Sequence, residues 1–173
     1  MASTFFIFLL SLLIFPCADP NYIHKTCKLT NHYHLCLSFL NSNSTSANVV
    51  GHGLTLIMIS VGTANATATS TYLSSQSLSS ASNYSALKRV LKECADKYSF
   101  AGDALQDSAQ YLVLKNNDYV AVHATAVADY PNACRNVFNR FPRLIYLSEI
   151  APREESLKEI CDVILGILEH IGW

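Results

Sequence analysis

Apolar residues recur every three to four positions along most of the chain, which is the spacing of an amphipathic α-helix. Four long segments show this pattern, at about residues 50–72, 87–112, 119–138 and 157–171. In each segment the apolar stripe is wide enough to face a core. Because alternation typical of strands is absent from these segments, the pattern predicts an all-α protein, an up-and-down four-helix bundle.

Polar connections separate the four segments. The sequence SSQSLSSASN lies between the first two, and KNND between the second and third is short enough to make those helices antiparallel neighbours. A longer connection precedes the fourth helix, and Pro152 suits the first turn of that helix. Pro131 lies inside the third segment, where proline removes a backbone hydrogen bond and costs about 3 kcal/mol. We therefore expect a kink or a break at Tyr130-Pro131.

The N-terminus has the character of a secretory leader. The chain has no charged residue before Asp19, and an apolar block runs from Phe5 to Phe15. A block of this length matches the core of a signal peptide, whereas a transmembrane helix needs roughly 20 apolar residues. We predict a signal peptide at residues 1–18, with cleavage close to Ala18. No later segment is apolar over a spanning length, so the mature chain is expected to be secreted and free of the membrane.

The remaining residues, 19–173, are of a suitable size for one domain. Residues 45–173 would form the bundle, and residues 19–44 two short helical pieces that are too short to be stable alone. Three N-x-S/T sequons are consistent with secretion and are candidate glycosylation sites. Their asparagines are Asn43, Asn65 and Asn83.

The stretch CKLTNHYHLC places Cys27 and Cys36 around two histidines. A zinc site would need His32 and His34 together, but residues two apart on a helix point away from each other. A redox-active pair would need a C-x-x-C spacing, which eight intervening residues do not supply. In a secreted chain, the simplest interpretation is a disulfide that holds the two short helices as a hairpin.

Cysteine count and charge limit the remaining possibilities. Five cysteines follow the leader, and an odd number in an oxidising compartment predicts two bridges and one free thiol. The formal net charge is −1 and no basic run occurs, so nucleic acid is not an expected partner. The acidic residues of the second helix alternate with lysines as on a solvated face, and no G-x-S-x-G motif occurs. We therefore predict no enzymatic activity, no cofactor and no metal.

Four stretches occur in an order that is informative. They are the C-x8-C pair, LKECADKYSFAGDALQDSAQYL, ADYPNACRNVF and LKEICDVILGIL. Together they resemble the plant invertase and pectin methylesterase inhibitor family over essentially the whole mature sequence. The resemblance implies a four-helix bundle preceded by a helical hairpin, with bridges Cys27–Cys36 and Cys94–Cys134. Cys161 would then be the free thiol, and the CDV around it resembles a subgroup of invertase inhibitors that includes pollen allergens.

The function implied by the resemblance is inhibition by occlusion. Such a protein would bind a plant cell-wall or vacuolar invertase stoichiometrically, block its substrate cleft, and be located in the apoplast or the vacuole. The alternatives are a pectin methylesterase inhibitor of the same fold and a pollen or seed protein of this family that inhibits nothing. A carrier of lipids or small ligands is a further alternative, but it would need an apolar cavity, which the closely spaced apolar stripes do not suggest.

Two positions depart from the family pattern. Cell-wall invertase inhibitors carry a Pro-Lys-Phe motif at the corner between the second and third bundle helices, and counting back from Cys134 places Asn117, Asp118 and Tyr119 there. The aromatic residue is kept in kind, but an aspartate replaces the lysine. Where many members have Ser-Ala-Ala facing the esterase, this chain has Thr125-Ala126-Val127, expected to form a bulkier surface. Asn117, Asp118, Tyr119 and Thr125 are therefore the candidate partner-binding residues.

Overall fold

The computed structural model describes residues 21–80 and 85–171, and all regular elements in these ranges are helical. The predicted leader and the sequon asparagine Asn83 lie outside the described residues. The α-helices are α1 (Tyr22–Cys27), α2 (Tyr33–Ser42), α3 (His52–Ser79), α4 (Ser85–Val113), α5 (Asn117–Asn139) and α6 (Ala151–Ile171), with a 3-10 turn at Ser46–Asn48. The prediction of an all-α bundle behind a short helical hairpin is confirmed.

The four long helices form a square in cross-section. Helix α3 packs against α4 and α6, and α5 packs against the same two helices. The apolar stripes meet at the centre, where the large, fully buried side chains include Met58, Tyr98, Leu105 and Ile164. Burying a side chain of this size stabilises the fold by about 1.5–3 kcal/mol, so this contact area holds the bundle together.

Two disulfides tie the helices together. The Cys27–Cys36 bridge links α1 to α2, with 5.5 Å between the Cα atoms, and the Cys94–Cys134 bridge links α4 to α5, with 4.8 Å. All four cysteines are fully buried. The first bridge closes the hairpin that is too short to fold alone. Cys161 on α6 is a free, buried thiol.

Of the two outcomes expected at Tyr130-Pro131, a kink or a break, the break is wrong, because α5 continues as one helix through Pro131. The kink stays a prediction. Pro131 is buried, so its ring contributes to packing that offsets the missing backbone hydrogen bond. Three residues later, Cys134 fastens the next turn to α4. Packing and the disulfide thus hold the helix where local propensity would end it.

The hairpin lies along α6 and at the start of α3. A methyl group added at Gly166 would lie 3.2 Å from the Cα atom of Thr30, so the hairpin approaches α6 at its backbone. The backbone N–H of Gly51, a residue with φ +48°, donates to the Tyr22 hydroxyl at 3.0 Å. Among the described residues, no helix combines the length and the hydropathy needed to cross a bilayer.

Candidate docking corner between helices α4 and α5

Helix α4 ends in a Schellman motif that turns the chain sharply into α5. The N–H of Lys115 donates to the carbonyl of Leu112 at 3.0 Å, and the N–H of Asn116 donates to that of Tyr111 at 3.0 Å. Lys115 adopts φ +55°, the left-handed conformation that this motif requires. These two backbone hydrogen bonds, one nested inside the other, fix the turn after which the next helix begins.

The same Asn116 opens α5. Its side-chain oxygen accepts a hydrogen bond from the N–H of Tyr119 at 3.4 Å, as an N-cap residue does. One residue thus closes α4 with its backbone and starts α5 with its side chain. We name residues 113–122 the docking corner.

Asn117 supports the corner from inside. It is buried, and its side-chain oxygen lies 3.0 Å from Nε2 of His52 at the start of α3. This contact ties the first turn of α5 to a third helix. Of the three residues predicted at this corner, Asn117 positions the surface, whereas Asp118 and Tyr119 are exposed on it.

Four large apolar side chains of the corner are exposed to solvent, beside the charged residues Lys115 and Asp118. Tyr119 is 52% exposed, Val122 65%, Leu114 72% and Val113 74%. The Tyr119 ring stacks on Tyr111, with 4.9 Å between centroids and 22° between planes. Exposed apolar side chains grouped in this way are typical of surfaces that bind other proteins.

The structure places Thr125 on the outer side of α5, where it begins a second surface that adjoins Val122 of the docking corner one helical turn away. Thr125 and the adjacent Ala126 are exposed, but Val127 is buried in the core with no exposed area. The expectation that Thr125-Ala126-Val127 forms one bulkier surface is therefore wrong at Val127. A helix turns about 100° per residue, so Val127 lies about 200° around the helix from Thr125 and faces the core.

The buried charge of the protein lies away from the corner, where α6 meets α5. Glu154 is 1% exposed and accepts hydrogen bonds from Arg135, at 2.6 Å, and from the Tyr146 hydroxyl. The hydrogen bond and the charge of Glu154 raise the pKa of Arg135. Burial, followed by the hydrogen bond to Glu154, raises the pKa of Tyr146. The guanidinium of Arg135 and the hydroxyl of Tyr146 thus compensate the charge of the buried carboxylate.

Two other titratable side chains, Cys161 and His32, lie at the contacts that α6 makes. Burial, with a smaller effect of the Asp162 charge, raises the pKa of the Cys161 thiol to about 12, so this thiol is a poor nucleophile. His32 lies 3.5 Å from Glu159 and 3.2 Å from Asp162, which connects the hairpin to α6. Within residues 21–80 and 85–171, no group of three or more His, Cys, Asp or Glu side chains is placed to hold a metal ion.

A groove of about 500 Å³ lies between α3 and α4, lined in part by Leu56, Ile59 and Ala109. The groove is open to solvent along one side, unlike the enclosed apolar cavity that a lipid carrier needs.

Sequence reasoning placed Tyr119 correctly at the corner but missed its apolar neighbours. Val113 and Leu114 follow the last stripe position of the second segment, Leu112, and this could have signalled exposed apolar residues. The burial of Asn117 had no such signal, because it depends on His52, which is 65 residues earlier in the chain.

Comparison with known proteins is consistent with this architecture. The model of a family described as plant invertase/pectin methylesterase inhibitor matches residues 21–167. The cell wall/vacuolar inhibitor of fructosidase 2 from Arabidopsis thaliana is 40% identical over 149 residues, which cover 86% of this chain and 82% of the relative. Pectinesterase inhibitor 28 from Oryza sativa subsp. japonica is 31% identical over 152 residues, covering 84% of this chain and 67% of the relative.

A solved structure shows the same fold. The crystal structure of a mutant form of a pectin methylesterase inhibitor from Arabidopsis superposes with a TM-score of 0.68 at 22% identity, covering 88% of this chain and 97% of the other. With the family match over most of the chain, these similarities establish that the protein belongs to the plant invertase/pectin methylesterase inhibitor family.

Proposed function

We propose that this protein is a secreted inhibitor that blocks the substrate cleft of a plant cell-wall or vacuolar invertase by stoichiometric binding. The observation that carries the proposal is the docking corner, where Tyr119 and three aliphatic side chains are exposed to solvent. The relative that is 40% identical is named as an inhibitor of a fructosidase. The protein itself would have no enzymatic activity and no cofactor.

Tyr119 is the proposed anchor of the complex. Aromatic side chains at the centre of an interface often contribute 2 kcal/mol or more to binding. Because the ring already stacks on Tyr111, it loses little side-chain freedom when a partner covers it. The Schellman motif and the Asn116 cap fix the backbone of Tyr119, so the backbone also loses little freedom on binding. The corner is therefore suited to insertion into a concave site.

Asp118 sets the charge of the proposed interface. Its carboxylate is exposed in the first turn of α5, beside the anchor. Invertases use carboxylates in their active sites, so a negative charge at this position weakens docking by like-charge repulsion. Asp118→Lys is therefore expected to tighten binding to an invertase and to raise the association rate most at low salt.

Inhibition of a pectin methylesterase is the second candidate function. Thr125 and Ala126 are exposed on α5, away from the α4–α5 turn, and would supply that surface. Relatives named as pectinesterase inhibitors support this alternative. Thr125 and Ala126 follow Val122 of the docking corner by one helical turn, so the two surfaces adjoin, and the functions are distinguished by which enzyme each substitution releases.

The location follows from the same proposal. The predicted leader would direct the chain into the secretory pathway, and the name of the fructosidase inhibitor includes both the cell wall and the vacuole. The apoplast is the proposed site of action, with the vacuole as the alternative compartment.

The test is a pair of inhibition titrations at about pH 5 with the oxidised protein, one against a cell-wall invertase and one against a pectin methylesterase. Tyr119→Ala removes the anchor, and Thr125→Arg adds a bulky charge to the second surface. Leu78→Ala is the matched control, since Leu78 is 77% exposed near the far end of α3, about 39 Å along the helix axis from His52 at the corner.

We expect equimolar protein to abolish invertase activity. Tyr119→Ala should weaken inhibition about 30-fold or more, as loss of a 2 kcal/mol anchor requires, while Thr125→Arg and Leu78→Ala leave it unchanged. Loss of esterase activity that only Thr125→Arg relieves would establish the second function instead. If neither enzyme responds, the inhibitor proposal fails, and a pollen or seed protein without inhibitory activity becomes the better description.

A further inference from the structure

The sequon Asn43-Ser44-Thr45 lies in the exposed link between α2 and the 3-10 turn. Asn43 is the half-buried residue that ends α2, in an extended conformation, and Ser44 and Thr45 are exposed. The Oδ1 atom of Asn43 accepts hydrogen bonds from the backbone N–H of Thr45 at 3.0 Å and from its hydroxyl at 2.6 Å. Both bonds use Oδ1 and leave out Nδ2, the atom that would carry a sugar.

The sequon Asn65-Ala66-Thr67 differs in what its amide contacts, since Asn65 is half-buried like Asn43 but faces another helix. Asn65 lies in the middle of α3, and its Nδ2 donates to the Ser156 hydroxyl of α6 at 3.0 Å. Its Oδ1 is buried without a hydrogen-bond partner, and Ala66 beside it has no exposed area. The amide therefore lies inside the contact between two helices of the bundle.

This difference matters because N-linked sugars are added while the chain enters the secretory pathway, before it has folded. Both asparagines are accessible at that stage. A bulky glycan on Nδ2 of Asn65 would then occupy the space of Ser156 and separate α3 from α6. A glycan on Asn43 would extend from a surface link without displacing any helix of the bundle.

From these two environments we infer that the secreted protein carries an N-linked oligosaccharide on Asn43 and none on Asn65. The inference rests on the predicted entry into the secretory pathway. A lipid-linked diphosphate oligosaccharide is the donor: the bond from sugar C1 to its phosphate oxygen breaks, and a bond from C1 to Nδ2 of Asn43 forms. Nδ2 loses one proton, and the lipid diphosphate leaves. Chains modified at Asn65 fail to fold and are retained in the cell.

The test is site mapping on the full chain produced in cultured plant cells. Protein from the medium is digested and treated with an amidase that releases N-glycans in ¹⁸O-labelled water, and each asparagine is examined by mass spectrometry. Two variants remove the proposed acceptor in different ways, Asn43→Gln by replacing the amide and Thr45→Ala by removing the hydroxyl. Ser44→Ala keeps the sequon intact and is the matched control.

We expect the label on Asn43 in the wild-type and Ser44→Ala proteins, its loss in both acceptor variants, and an unlabelled Asn65 in all four. A labelled Asn65 in secreted, monomeric protein would overturn the inference, as would an unlabelled Asn43. Chain that stays in the cytosol without any glycan would overturn it together with its premise. Inhibition assays read a separate property, so failure of the proposed function leaves this result unaffected.

Discussion

Arg135→Met is predicted to destabilise the bundle by about 2–3 kcal/mol, because it leaves the buried carboxylate of Glu154 without its cation. The guanidinium lies 2.6 Å from one carboxylate oxygen, and the Tyr146 hydroxyl donates to the other. Only 2% of the Glu154 side chain is exposed, compared with 54% of the Arg135 side chain. The acid is therefore held inside the protein while its partner extends to the surface.

The magnitude follows from this asymmetry. Breaking a fully buried ion pair costs about 3–5 kcal/mol, but here Tyr146 still donates to the carboxylate, and water can reach the space that the guanidinium leaves. Both effects lower the expected cost. Methionine keeps an apolar stem against its neighbours, so lost packing contributes little. What remains is mainly the uncompensated charge of Glu154.

The assay is a double-mutant cycle with Glu154→Gln, measured by urea unfolding at pH 7. A neutral glutamine needs no cation, so Arg135→Met should cost less than about 1 kcal/mol in that background, giving a coupling of about 1–3 kcal/mol. Tyr146→Phe, which removes only the hydroxyl, should cost about 1.5–3 kcal/mol, as expected for a hydrogen bond to a charged group. Free energies of Arg135→Met and Glu154→Gln that add within 0.5 kcal/mol would refute this account of the network.

Three further predictions concern the corner, the thiol and the hairpin. Lys115→Gly should raise the free energy of unfolding by about 0.5–1 kcal/mol. Glycine adopts φ +55° without the steric cost that other residues have in this conformation, and its greater freedom in the unfolded chain offsets part of the gain. Lower stability would contradict the Schellman assignment. The raised pKa of Cys161 means that the folded state keeps a proton which the unfolded state releases above pH 9. Stability should therefore fall between pH 9 and about 12, by up to about 1.4 kcal/mol per pH unit. Cys161→Ala should lack this part of the slope in alkaline denaturation. Gly166→Ala should make the N-terminal hairpin more sensitive to limited proteolysis, because the new methyl group would lie 3.2 Å from Thr30 Cα, and an unchanged cleavage rate would show that the hairpin adjusts freely.

The helices were predictable because a helix that buries one face has apolar residues at a regular spacing in the sequence. Each of the four stripes corresponds to one long helix, and the short KNND connection corresponds to the turn between α4 and α5. Pro131 shows the limit of this reasoning. Its local cost is visible in the sequence, but the disulfide and packing that offset it involve residues far away in the chain.

The parts of the site that escaped prediction share this long-range origin. The buried Asn117 contacts His52 of another helix, and the charge of Glu154 is compensated by Arg135 of α5. No local pattern of residues marks either contact. Tyr119 was predicted through a resemblance to known inhibitors, whereas its rigidity depends on stacking with Tyr111, which only the structure provides.

In the turn between α4 and α5, the residues that fix the backbone differ from those whose side chains are exposed. Its course is set by backbone hydrogen bonds, the side-chain amide of Asn116 and the buried Asn117, while the side chains of Asp118, Tyr119 and Val122 are exposed. Exposed residues at such a tip are free to change during evolution without disturbing the helices beneath them. Under the proposed docking at this corner, related inhibitors would acquire new targets, or lose old ones, by substitutions at a few positions. For the same reason, the tip is a natural place to graft randomised residues when selecting inhibitors of other enzymes.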